Sequence, residues 1–245
     1  MSKLQASYDT TVFKKSLEEF GIILSEKQIE QFLIYYEILM EKNKVMNLTA
    51  ITEYEEVVKK HFVDSLALVK AYELTGRKKV LDLGTGAGFP GIPLKIAFPN
   101  LEITLLDSLN KRINFLWDVI EELELDGIEA VHGRAEDLAN KFDYREKYDL
   151  VVSRAVANLS TLSEYCLPFV KVGGFFIPYK SEKLSEELGQ AKNAVKLLGG
   201  EVSGEISFNL PHSDISRNFV KILKKKPTHA KYPRKAGLPS KEPLV

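Results

Sequence analysis

The chain has 245 residues, 44% of them hydrophobic, which is enough apolar content for a large core and excludes disorder of the whole. Thirty-four basic and thirty-four acidic side chains cancel, so a nucleic-acid partner must be met by a local basic patch and not by net charge. One cysteine excludes an internal disulfide, the opening residues carry no signal-peptide pattern, and no apolar run approaches the roughly 20 residues that span a bilayer; the expectation is a cytoplasmic protein with no membrane partner.

Residues before about Arg77 read as helical. Phe13, Leu17 and Phe20 share one face of a short helix that Gly21 can cap. Ser25 with Gln28 spells a capping box, after which Ile29, Phe32, Leu33, Tyr36, Leu39 and Met40 fall at the spacing of an apolar helical stripe. Thr52 with Glu55 spells a second box, opening a helical stretch through His61, Phe62, Leu66, Leu68 and Val69. The expectation is an N-terminal helical cap over 1–75, a core domain over 76–226 and a tail over 227–245.

From Val80 to Gly91 a short apolar run ends at Asp82 and breaks into alternating glycines, the pattern of a buried parallel strand, a tight turn and a helix start. Glycines at such a turn let the backbone approach a nucleotide, and amides at the following helix N-terminus favour a polar or anionic group. Gly86, Gly88 and Gly91 also satisfy the dinucleotide pattern G-x-G-x-x-G, so the turn by itself does not choose between cofactors.

Strands are expected at 80–83, 103–107, 128–132, 150–153 and 175–179, with helices at 111–123 and 183–198 between them, followed by two further strands at 201–208 and 219–223. Strands alternating with helices imply a doubly wound, mostly parallel α/β sheet, here of seven strands with an antiparallel ending. The last segment differs in kind. Lys221, Lys224, Lys225, Lys226, Lys231, Arg234, Lys235 and Lys241 alternate with Pro227, Pro233, Pro239 and Pro243, giving a basic run that either binds phosphate or is a solvated tail.

Ligands of open parallel sheets lie at the carboxyl ends of the strands, so the closing residues are read together. Asp107 stands about 20 residues past the glycine turn, where a carboxylate accepts ribose hydroxyls of NAD or S-adenosylmethionine alike, or caps the next helix. Ala135 and Glu136 follow the third strand, where an adenine edge would arrive; Asp137 offers the competing reading of a helix cap. Arg154 closes the fourth strand, where a guanidinium can hold a carboxylate or phosphate, or merely form a surface ion pair. His61 and Asp64 lie one helical turn apart, but no second pair has metal-ligand spacing, so a hydrogen bond between helices is expected and a metal is not. Cys166 reads as a packed thiol, and Trp117 as part of a packed face with Ile113, Leu116 and Ile120.

These residues carry a family resemblance. Asp82-Leu-Gly84-Thr-Gly86-Ala-Gly88 with Asp107 resembles the first motifs of class I S-adenosylmethionine-dependent methyltransferases, a Rossmann-like fold. Asn47-Leu-Thr-Ala-Ile51, His61-Phe-Val-Asp64-Ser-Leu66, Gly84 to Gly91, Asp107 to Arg112, Arg134-Ala-Glu136, Ser153 to Ala157 and Tyr232-Pro-Arg234-Lys235-Ala-Gly237 narrow it to the RsmG (GidB) family. The resemblance implies methylation of guanine N7 in the 530 loop of 16S ribosomal RNA, with S-adenosylmethionine as cofactor and the RNA or small-subunit particle as partner of a monomer.

Carried over by motif, the cofactor contacts are Gly84 and Phe89, then Ala135, Glu136 and Arg154; Gly86, Gly88 and Asp107 are added from class I logic, and Arg154 is the one catalytic candidate. Lys225, Lys226, Arg234 and Lys235 are the RNA-binding candidates, and Asn47, His61, Asp64 and Ser65 are candidates to line a substrate cleft. Ser181 departs from the family, which commonly has glycine after the lysine matched by Lys180. Two other classes compete: a nicotinamide-dependent oxidoreductase, for which no acid at a hydride-transfer site is visible, and a non-catalytic ribosome-associated module that senses S-adenosylmethionine.

Overall fold

The computed structural model describes residues 7–154, 157–180 and 184–244. Seven strands form one sheet in the order β3-β2-β1-β4-β5-β7-β6. They are β1 (Lys79–Leu83), β2 (Glu102–Asp107), β3 (Ile128–His132), β4 (Tyr148–Ser153), β5 (Val170–Lys180), β6 (Gly200–Asn209) and β7 (Ser216–Lys224). Strands β1 to β5 pair in parallel, and β7 runs antiparallel to both β5 and β6. The chain order reverses beside β1, between β2 and β4, which is where such a sheet opens a crevice for ligand.

Side chains alternate between two hydrophobic layers, as the two-residue period of a strand requires. Val80, Leu150 and Val152 face one layer, while Leu81, Leu83 and Val151 face the other. The first layer is completed by the N-terminal helices α1 (Thr11–Glu18) and α2 (Glu26–Met46), whose Phe13, Phe32 and Tyr35 pack with Phe62 against the sheet, and by α5 (Gly91–Ala97) and α6 (Asn110–Glu122). The second is built on α8 (Leu159–Cys166) and α9 (Leu184–Leu197).

The Ser25–Gln28 box opens α2 as expected: the Ser25 side chain accepts from Gln28 N, and Gln28 answers through Ser25 N. The Thr52–Glu55 box does not form. Helix α3 (Tyr54–Val57) starts from Glu53 without a side-chain cap, one residue later than the box requires, and Thr52 O accepts from Tyr36 Oη. The segment then widens into a π-helical stretch over Val58–Val63 before α4 (Asp64–Leu66) and a 3-10 turn over Ala67–Lys70. Trp117 corrects another expectation: its indole stays 46% exposed, because the buried stripe of α6 runs through Ile113, Leu116, Val119 and Ile120 and leaves it at the margin. Cys166 is fully buried, and burial pushes its thiol pKa up, as suits a core residue.

The basic C-terminal segment is not a solvated tail. After β7 it turns back across the second layer, where Arg145 donates to Thr228 O (2.8 Å) and Tyr232 O (3.0 Å), and it ends in α10 (Leu238–Lys241). Among the described residues no helix is long and apolar enough to cross a membrane, and no group of acidic, histidine or cysteine side chains could hold a metal ion.

Candidate active site

At the carboxyl ends of β1, β2, β3 and β4 lies a cleft of about 850 Å3, within the usual range for small-ligand sites. Its floor is the turn after β1, tied to the neighbouring strand by Gly84 N and Thr85 N donating to Leu106 O (2.8 and 3.2 Å). Gly84 and Gly86 hold positive φ (72° and 63°), and a Cβ added at Gly86 would meet nothing of the protein within 4 Å. The backbone there is open to close approach from the cleft.

Two carboxylates fix the turn from below. Asp82 is fully buried, accepts from Thr85 Oγ1 (2.6 Å) and Gly91 N (2.8 Å), and is pushed up to about pKa 6 by burial. Its other oxygen, Oδ1, has no hydrogen-bond partner among the described residues. Gly91 is glycine for packing: a Cβ there would overlap Leu105 Cδ2 and reach 3.0 Å from Asp82 Oδ2. Asp107, at the end of β2, accepts from Gly86 N (3.0 Å) and Arg112 Nη1 (3.2 Å) through Oδ2, and from Leu109 N (2.9 Å) through Oδ1. It lines the cleft and does not cap α6, whose N-cap is Leu109.

The N-terminal helices grip the turn from the other side. Tyr35 Oη donates to Ala87 O, and Phe89 is sandwiched between Tyr35 and His61, whose ring lies stacked 4.5 Å from it. Burial and the nearby Arg154 charge push His61 down to about pKa 4, so the ring is neutral at physiological pH. The tautomer with its proton on Nε2 serves both contacts, donating to Thr49 Oγ1 (2.9 Å) and accepting from Arg154 Nη2 at Nδ1 (3.4 Å).

Arg154 is anchored beneath the cleft rim. It donates to Lys60 O (3.1 Å), His61 O (3.4 Å) and Ser65 Oγ (3.1 Å), and it pairs with Asp64 at 3.3 Å. Asp64 also receives Arg217 Nε (2.6 Å) from β7, so one buried carboxylate ties the π-helical stretch to strands on both sides of β5. The pair is not the exposed ion pair that the position alone allowed, since the Asp64 and Arg154 side chains are only 3% and 19% exposed.

Residues 28–215 match the family model GidB, described as rRNA small subunit methyltransferase G. A ribosomal RNA small subunit methyltransferase G of Lachnoclostridium phytofermentans is 56% identical over 237 residues, covering 97% of this chain and 98% of the relative. The chain belongs to the rRNA small subunit methyltransferase G family. Its namesakes from Bacillus cereus and Clostridium tetani are 51% and 48% identical, each over 95% of this chain and over 97% and 98% of their own lengths. Among solved structures the fold is similar to TrmN from Thermus thermophilus (TM-score 0.52, 14% identity, 68% of this chain and 53% of that one). It is similar also to P. horikoshii TYW2 in complex with MeSAdo (0.52, 16%, 67% and 63%). The class I methyltransferase architecture expected from sequence is the one observed.

In this small subunit methyltransferase G chain, six of the expected cofactor residues line the cleft together: Gly84, Gly86, Asp107, Ala135, Glu136 and Arg154. Gly88 and Phe89 stand behind the turn, where they set its shape. His61 lines the rim with Leu48, whereas Asp64 and Ser65 are buried under Arg154 and exposed Asn47 closes α2 in a left-handed conformation. Lys225, Lys226 and Lys235 are exposed, and Arg234, partly exposed, is paired with Glu164 (2.7 Å). Ser181 lies outside the described residues. Sequence reading missed Tyr35, Arg217 and Gly237. Tyr35 had a signal, since it lies three residues after Phe32 on the same stripe, and Gly237 closes a motif that carried the family resemblance without a role for the glycine; Arg217 acts through a contact between segments far apart in the chain, for which a single sequence carries no sign.

Proposed function

We propose that the chain transfers a methyl group from S-adenosylmethionine to N7 of a guanine in the 530 loop of 16S ribosomal RNA. The observation that carries this reading is the cleft itself: a side-chain-free floor at Gly84 and Gly86, a carboxylate at Asp107 and an acidic wall at Glu136, in a member of this family. The antiparallel β7 between β5 and β6 also separates this sheet from the all-parallel order of dinucleotide-binding folds.

The residues present fit the cofactor. The Gly86 backbone lies open to close approach by a nucleoside, Asp107 accepts ribose hydroxyls, and Glu136 faces the base. Bound S-adenosylmethionine supplies an electrophilic methyl group on a sulfonium centre. Guanine N7 carries its lone pair in the neutral base, so no general base is required and catalysis rests on alignment. The chain's contribution is to hold both partners: Arg154 sets a positive charge beside the cleft and neutral His61 presents its ring at the rim, with no titration near pH 7 at His61.

The deciding experiment is transfer of tritiated methyl to 16S ribosomal RNA that lacks the modification, followed by mapping of the labelled base. Label at N7 of a guanine in the 530 loop supports the reading; label elsewhere, or none, overturns it. Stabilisation by S-adenosylhomocysteine and not by NADH in a thermal scan is the companion result.

A further inference from the structure

The segment after β7 is built into the body by charges that the fold has buried for it. Lys224, 0% exposed, donates to Leu167 O (2.5 Å) and Thr228 Oγ1 (2.6 Å) and pairs with Glu146 at 3.2 Å. Farther on, Arg234 Nε and Nη2 fork onto Glu164 (2.9 and 2.7 Å), whose side chain is also 0% exposed, and Arg234 N adds a third donor (2.8 Å). A charge buried in this way is strongly destabilising without its partner, so these pairs fix the path of the strap and not merely its proximity. Beyond Arg234, Thr161 Oγ1 donates to Pro239 O at 3.0 Å.

Between those anchors the strap reaches the cleft at one point. Gly237, in the left-handed conformation (φ 82°), lines it and donates its N–H to Glu136 Oε1 at 2.9 Å. Glu136 is only 8% exposed, and its second oxygen has no hydrogen-bond partner among the described residues. One oxygen is thus held by the strap, and the other stays available in a cleft wall for a ligand donor.

We propose that Gly237 is a positioning residue of the cofactor site, holding Glu136 so that its free oxygen accepts from the exocyclic amine of the adenine base. The inference rests on the cofactor reading above. Arg234 sets the position of Gly237 through Glu164, which gives this basic residue a role in cofactor affinity.

The test is isothermal titration of S-adenosylhomocysteine into the full chain, a chain ending at Ala236, and full-length Gly237→Val. The shortened chain keeps the Arg234–Glu164 pair. The valine variant keeps every anchor but forces a β-branched residue out of positive φ and moves the N–H. Both are expected to bind at least tenfold more weakly than the full chain. In a Glu136→Ala background, the shortening should have no further effect, since there is no carboxylate left to hold. Affinity within twofold of the full chain in both variants overturns the inference, and so does an equal loss with and without Glu136, which a purely structural strap would give. Failure of the unaltered full chain to bind S-adenosylhomocysteine would instead overturn the cofactor reading itself.

Discussion

The hydroxyl of Tyr35, on α2, donates to the main-chain oxygen of Ala87, inside the glycine turn after β1. A residue of the N-terminal helices therefore sets the shape of a loop from a different part of the chain. Tyr35→Phe removes the donor and leaves Ala87 O without it in a buried place, a loss of roughly 1–3 kcal/mol. Urea denaturation should show that loss, and titration should show weaker S-adenosylhomocysteine binding. Unchanged affinity would mean that the turn keeps its shape unaided.

Gly86 and Gly91 are expected to fail in opposite ways. Alanine at Gly86 meets no protein atom within 4 Å and costs only the backbone strain of positive φ, roughly 1–2 kcal/mol, but occupies ligand space. Alanine at Gly91 collides with Leu105 and costs roughly 1–3 kcal/mol by overpacking. Thermal melting without ligand and calorimetric titration separate the two: Gly86→Ala should lose mainly affinity, Gly91→Ala mainly stability.

Arg154→Met breaks the donors to Lys60 O, His61 O and Ser65 and leaves Asp64 with Arg217 alone. Methyl transfer to unmodified ribosomal RNA should fall at least tenfold, corresponding to about 1.4 kcal/mol. Full activity would confine Arg154 to holding the fold.

Acid should destabilise the chain through His61. Its pKa falls from the ordinary value of 6.5 to about 4 on folding, so the unfolded chain binds the extra proton first. The stability it contributes is fully present above about 6.5 and is lost as pH falls towards 4. Asp82, raised from 3.8 to about 6, acts in the opposite sense, losing stability as pH rises through that window. The difference between wild type and His61→Gln isolates the first effect: the variant's urea midpoint should fall less steeply from pH 6.5 to 4.

Charge reversal at Lys225, Lys226 and Lys235 should weaken RNA binding and flatten its dependence on salt, by roughly 0.7 in the logarithmic slope for each phosphate of single-stranded RNA that is no longer neutralised. All three side chains are exposed, and the nearest carboxylate to Lys225 is Glu201 at 4.0 Å. An unaltered slope would assign RNA binding to another face.

What could be read beforehand follows the range of the interactions. Strands β1 to β4 were legible because each is a short, mainly apolar run with a polar residue at or next to its carboxyl end, and the glycine turn because it needs backbone without side chains. The Thr52–Glu55 box misled because the chain enters α3 one residue later, at Glu53, which moves Glu55 out of the third helical position that the box needs. The basic run at the end was legible as charge but not as structure: only the buried Glu146 and Glu164, contributed by other segments, convert its lysine and arginine into anchors.

The π-helical stretch over Val58–Val63 carries a consequence for how this protein can vary. Its hydrogen bonds span five residues where those of an ordinary helix span four, so the stretch carries more chain per turn than the α-helical segments on either side. Taking one residue out of Val58–Val63 lets the turn close to α-helical bonding, with the slack absorbed where the helix is wide. Loss of a residue there should therefore be tolerated better than loss of one inside α2.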